Sequence, residues 1–262
     1  MKKILIVGKK SFIGSHLYDY LKNFFYVKII SFKDLNNKNV NHFDYIINCS
    51  IHPNYVRYKY NKIFDVDLKI TKKILEGSTK YIFLNTRKIY KQKLNIKENS
   101  YLNPIDNYAK NKIKTEKILL KTIKNRLISL RISNILGKRK FLRSRRCHNL
   151  FLDNFIKYRK NGKIIEFKDC YKDFITIDYF NKVIQKIIKK KITGIYNLSL
   201  GEKVYLSEII TWLDIKFSKN VKFNSKKDEE NSFTLNNKKL VKKIKISISK
   251  NQVMNFCRKI FK

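Results

Sequence analysis

The chain has 262 residues, with 60 Lys and Arg against 20 Asp and Glu, a formal charge of +40 and 43% hydrophobic residues. That length and apolar content support a full buried core and argue against disorder. The four cysteines (Cys49, Cys147, Cys170, Cys257) lack C-x-x-C spacing and the histidines do not cluster, so no zinc site or disulfide framework is indicated.

The chain opens with an apolar run, Ile4–Val7, too short for a leader segment or a membrane span and read as a first buried strand. Gly8-Lys-Lys-Ser11-Phe12-Ile13-Gly14 follows at once and leads into a helix near Ser11. A glycine turn between strand and helix lets backbone N–H groups approach a pyrophosphate, whose charge a helix N-terminus favours. Ser11 stands where a third glycine would strengthen this signal; an ordinary tight turn is the competing reading. The second strand, Val27–Phe32, ends at Lys33-Asp34. A cation there suits a ribose 2′-phosphate and a carboxylate suits a free 2′-hydroxyl, so NAD or NADP stays open.

A third strand, Tyr45–Asn48, ends at Cys49-Ser50, and a helix is expected over Ile63–Leu75. The fourth strand, Tyr81–Asn85, delivers Thr86 to the carboxyl edge of the sheet. The next helix, Asn107–Thr122, holds Tyr108 and Lys112 one turn apart on one face. An ammonium beside a phenol favours phenolate and suits the tyrosine to proton transfer near neutral pH. Tyr18, Tyr55 and Tyr58 also have a lysine four residues on, so only the surroundings single out Tyr108. A strand at Leu127–Ile132 and helices near Leu150–Lys160 and Tyr179–Ile188 complete the alternation. It predicts an α/β fold, a doubly wound parallel Rossmann-type sheet with a small C-terminal substrate lobe. The core is expected over 1–141, completed by about 174–198, with the lobe from 142–173 and 199–262.

With these motifs in order, the chain resembles the extended short-chain dehydrogenase/reductases, the NAD(P)-dependent nucleotide-sugar epimerase/dehydratase/reductase family. The resemblance runs through Gly8–Gly14, Phe43–Ser50, Phe83–Tyr90, Tyr108–Lys112 with Glu116, Leu130–Gly137, Asp173–Asp178, Ile195–Gly201 and Phe233–Leu240. It implies a catalytic set of Thr86, Tyr108 and Lys112. The cofactor would meet Gly8, Ser11, Phe12, Ile13, Gly14, Lys33, Cys49, Ser50 and Asn85 as well as Tyr108 and Lys112. Asn134, Arg143 and Lys172 would meet the substrate, a nucleotide sugar. Lys172 stands where the family often has arginine. Arg87-Lys88 stands where its dehydratases carry an acidic pair, which favours a 4-keto reductase or epimerase of surface-polysaccharide sugar biosynthesis.

The basic run Lys138–Arg146 is a candidate clamp for the two phosphates, or a solvated loop. The remaining lysines are dispersed, and codon bias towards A/T is an alternative source of the excess to a functional one, so no specific nucleic acid and no membrane is expected as a partner. The resemblance adds a homodimer as a possible partner, and the cysteines, read as reduced thiols, point to a cytoplasmic location. The competing functions are a Rossmann scaffold that binds NAD(P) without chemistry, or a basic nucleic-acid-binding module.

Overall fold

Runs such as Ile-Leu-Ile-Val and Tyr-Ile-Ile-Asn offer no polar face, so they form strands covered on both sides. In the computed structural model, residues 1–35, 40–141, 152, 165–213, 221–224 and 230–260 are described. The strands are β1 (Lys3–Val7), β2 (Tyr26–Ile30), β3 (Tyr45–Asn48), β4 (Lys80–Thr86), β5 (Leu127–Ile132), β6 (Asn134–Leu136), β7 (Ile165–Lys168), β8 (Tyr171–Lys172), β9 (Phe174–Thr176), β10 (Gly194–Leu198), β11 (Val204–Tyr205) and β12 (Val221–Asn224). The helices are α1 (Phe12–Leu21), α2 (Pro53–Arg57), α3 (Val66–Lys72), α4 (Asn107–Thr122), α5 (Ile177–Lys190), α6 (Leu206–Leu213), α7 (Lys238–Ile244) and α8 (Lys250–Lys259).

Six strands form one parallel sheet in the order β10-β5-β4-β3-β1-β2. β1 pairs with β2 on one edge and β3 on the other, so the order reverses at β1, and the crevice beyond its carboxyl end is the expected ligand site. Val7 is level with both Ile30 and Asn48, which brings Gly8, Ser31 and Cys49 to a common rim.

Period-two alternation sorts the side chains. Ile4, Ile6, Ile47, Ile82, Leu84 and Ile128 join the cluster under α1 and α5. Leu5, Val7, Ile46, Tyr81 and Phe83 join the one that holds Val66 and Ile70 of α3 and Leu119 of α4. Each fully buried Leu or Ile contributes about 1.5–3 kcal/mol.

The later segments are tied to this core rather than folded apart. Ile209 and Leu213 of α6 and Val253 and Cys257 of α8 lie in the cluster under α1 and α5. Asp173 is fully buried and accepts N–H bonds from Leu200 (2.8 Å), Gly201 (3.1 Å) and Leu235 (3.0 Å), joining three chain segments at one carboxylate.

Several boundaries differ from expectation. β2 stops at Ile30 because Phe32–Leu35 winds into a 3-10 turn, with Asp34 Oδ2 accepting the Ser31 N–H. The helix expected over 63–75 is interrupted. Asp65 takes an extended conformation, caps α3 through the Leu68 N–H, and leaves only a 3-10 turn before it. The helix near 150–160 lies outside the described residues except Leu152, which is buried. Helix α2 has no counterpart in the sequence reading.

Candidate active site

The turn after β1 is shaped by close backbone approach. Gly8 has φ +123°, and a Cβ there would stand 2.9 Å from the Cys49 carbonyl carbon. A Cβ on Gly14 would stand 2.6 Å from the Gly8 carbonyl oxygen. Ser11 is the N-cap of α1, its hydroxyl accepting the Gly14 N–H at 2.9 Å. The serine therefore folds back on its own helix. Helix geometry still gives the Phe12 and Ile13 N–H groups no intrahelical acceptor, which suits them to an anion at the helix N-terminus. The Phe12 ring is core, packed where a Gly137 Cβ would be 2.6 Å away, so only its backbone is available to a ligand. This cradle fits a pyrophosphate.

Thr86 ends β4 and caps the 3-10 turn Arg87–Ile89 through the Lys88 N–H. Lys88 Nζ bonds Asp106 Oδ2 at 2.9 Å, and Asp106 Oδ1 caps α4 by accepting the Ala109 N–H at 2.8 Å. The Thr86 turn is thereby fastened to the start of the helix that carries Tyr108. One turn further on, Lys112 is buried, 4.4 Å above the Phe83 ring, with Nζ 3.4 Å from Asp67 Oδ2.

Asp67, on α3, was not among the expected site residues. Its Oδ1 accepts from Tyr81 Oη (2.7 Å) and from Asn48 Nδ2 (2.8 Å), while Asn48 Oδ1 takes the Ser50 N–H and hydroxyl. Asp65 stands two residues earlier and accepts from Thr115 at 2.5 Å and Tyr60 at 3.1 Å. Burial and the Asp67 charge raise the Asp65 pKa.

These groups decide the acid–base balance. Burial raises the half-buried Tyr108 phenol above its ordinary value; Lys112 pulls it down, and Asp67 and Asp106 push it up again. The net direction is upward, opposite to what the Tyr108–Lys112 pair alone predicts. Burial opposes the Lys112 ammonium, but Asp67, Tyr108 and Asp65 outweigh it and raise its pKa. At neutral pH the site presents a neutral phenol beside a fixed ammonium.

The other expected contacts fall in different places. Cys49 is half-buried at the rim, its thiol pushed above the ordinary range by burial. Lys33 is exposed in the turn after β2. Asn85 turns inward, donating to Glu116 (2.9 Å) and accepting its neighbour's N–H, Thr86 (2.8 Å). Glu116 also holds Arg131 through a two-point pair, 2.6 and 3.2 Å, below the site. The Asn134 amide donates to the Asp173 carbonyl at 3.2 Å, and Lys172 lies on β8 opposite Val204. Arg143 lies outside the described residues. Of the basic run, Lys140 pairs with Asp19 and the Lys138 carbonyl bonds His16, so this part lies along α1. A cavity of about 680 Å³ between α5 and α8, lined by Lys182, Lys186 and Lys259 among others, shares no residue with the site.

A dinucleotide cradle at the sheet's reversal point, with a tyrosine and a lysine on the helix beside it, defines a Rossmann-type nicotinamide-dependent protein. More particularly, the chain belongs to the NAD dependent epimerase/dehydratase family, whose sequence profile matches residues 4–199. Comparison with curated proteins finds no match. Among solved structures it is similar to UDP-N-acetylglucosamine 4-epimerase from Methanobrevibacter ruminantium M1 in complex with UDP-N-acetylmuramic acid. The TM-score is 0.78 and the identity 21%, over 99% of this chain and 96% of that one. RMD from Pseudomonas aeruginosa complexed with NADPH gives 0.78 at 14%, over 98% of both chains. A variant of UDP-glucuronic acid 4-epimerase from Bacillus cereus, complexed with UDP-4-deoxy-4-fluoro-glucuronic acid and NAD, gives 0.77 at 17%, over 99% and 98%. Among the described residues no helix is long and apolar enough to cross a membrane.

Proposed function

We propose that the chain epimerises or reduces a nucleotide-activated sugar at a ring carbon, as a 4-epimerase or 4-keto reductase of surface-polysaccharide sugar biosynthesis. A nicotinamide cofactor held in the cradle would supply and accept the hydride. Thr86 orients the reacting oxygen, and the Tyr108 phenol gives or takes its proton. Lys112 has three N–H donors; with one on Asp67, others are free for the cofactor ribose. The observation that carries this reading is the fastening of the Thr86 turn to the Tyr108 helix through Lys88 and Asp106, with Lys112 one turn deeper.

Elimination of water is disfavoured, because Arg87 and Lys88 follow Thr86 and put no carboxylate there to remove a carbon-bound proton. The UDP-sugars named with the similar structures are the first substrates to assay. Fluorescence titration with NADH and NADPH measures the cofactor site. Tyr108→Phe is expected to bind dinucleotide like the wild type and to lose turnover by about 10²–10⁴-fold. A Tyr108→Phe protein that retains activity rejects the assignment.

A further inference from the structure

Arg87 has no part in the roles above, and its surroundings are unusual for an arginine. It follows Thr86 directly and opens the 3-10 turn. Its guanidinium lies 3.9 Å from the centroid of the Phe233 ring, itself fully buried. Burial lowers its pKa to about 10, with Asp106 and the Cys170 thiol pulling the other way. Among the described residues no carboxylate stands within ion-pair distance of it, and both Asp106 oxygens already serve Ala109 and Lys88.

Arg131 makes the contrast. It is buried where Arg87 is half-buried, and it is supplied with Glu116 at both fork positions, Tyr90 Oη (2.7 Å) and the Glu98 carbonyl (2.7 Å). An arginine used only to bind the fold together receives a full partner set, because a desolvated cation left unpaired is strongly unfavourable. Arg87 has an aromatic face behind it and a planar fork of N–H donors with no acceptor among the described residues, a geometry that matches a carboxylate.

We infer that Arg87 is the specificity-determining cation of the site and that the substrate is a nucleotide-activated sugar acid. The inference rests on the reading that Thr86 holds the reacting oxygen. Arg87 follows Thr86 in the chain, and on that reading it is the cation next in sequence to the residue that holds the reacting oxygen.

Calorimetric titration in the presence of saturating NAD, using UDP-glucuronic acid, UDP-glucose and UDP, separates the alternatives. The wild type is expected to bind UDP-glucuronic acid about 100-fold more tightly than UDP-glucose, the scale of a charged partner left unmatched. Arg87→Leu should erase that preference while leaving UDP-glucose and UDP within about threefold, and Arg87→Lys should restore part of it. Equal wild-type affinity for the two sugars overturns the inference. So does Arg87→Leu weakening UDP itself as much as the sugar acid, which makes the arginine a diphosphate contact. Uniform weakening of all three with a lowered melting temperature also overturns it, as a packing role on Phe233. Turnover is scored apart from binding: acid-selective binding without turnover of either sugar upholds Arg87 and refutes the hydride chemistry.

Discussion

Lys112 serves two neighbours at once, since it is 3.4 Å from Asp67 and its charge also acts on Tyr108. The carboxylate offsets much of the ammonium's field, and burial then leaves the phenol above its ordinary pKa. The sign follows directly. The direction of reaction that needs the protonated phenol is flat across neutral pH, and the direction that needs phenolate gains as pH rises, with its limb above the ordinary tyrosine value. Asp67→Asn removes the offsetting charge, so the Lys112 field acts with less opposition and the Tyr108 pKa falls. The pH–rate profile in the oxidative direction should move to lower pH by about one unit or more. An unmoved limb contradicts this account of the pair. The same substitution strands a buried ammonium and is expected to lower stability by about 3 kcal/mol in urea melts.

At the level of elements, the β1-to-α1 turn is the proposed cofactor cradle. Gly8→Ala places a side chain in a left-handed conformation and 2.9 Å from the Cys49 backbone. It is expected to lose dinucleotide affinity and about 1–3 kcal/mol of stability. Ser11→Ala removes the cap on Gly14 and costs about 1 kcal/mol, with dinucleotide affinity held within a few-fold, because the Phe12 and Ile13 donors are untouched. Dinucleotide titration beside thermal melts checks both, and undiminished binding by Gly8→Ala contradicts the cradle. This turn was legible in the sequence because strand, glycine and helix follow one another with no intervening loop. Ser11 was visible too, but as an obstacle rather than as a cap. Helix α2 was hidden: five residues after the His52 cap are too few to show a period. Asp67 was hidden for another reason. An acid in the first turn of a helix reads as a complement to the helix dipole, whereas its partners Asn48, Tyr81 and Lys112 come from β3, β4 and α4. The Thr86–Tyr108–Lys112 set was named from local motifs; what sets its proton balance depends on contacts distant along the chain.

Across the whole molecule, Asp173 joins the turn after β10 and the segment around Leu235 to the strands β8 and β9. Burial pushes its pKa up to about 7 against the downward pull of three backbone N–H donors. The folded state therefore holds this proton more tightly than the unfolded chain. Its stabilising effect is full below the unfolded carboxylate pKa and is lost as pH rises through about 7. Stability is expected to fall by on the order of 2–3 kcal/mol between pH 5 and 8 through this group. Asp173→Asn cannot titrate there and should flatten the dependence in urea melts; an identical slope in the variant contradicts the assignment.

The most direct measurement follows the nicotinamide absorbance of cofactor-loaded protein after UDP-glucuronic acid or UDP-glucose is added. Wild-type protein loaded with oxidised dinucleotide is expected to show transient reduction of the nicotinamide as a ring hydroxyl of the sugar is oxidised, and Tyr108→Phe, equally loaded, to show no such change. Failure of the wild type to load either dinucleotide, or an undiminished redox change without the phenol, contradicts the account.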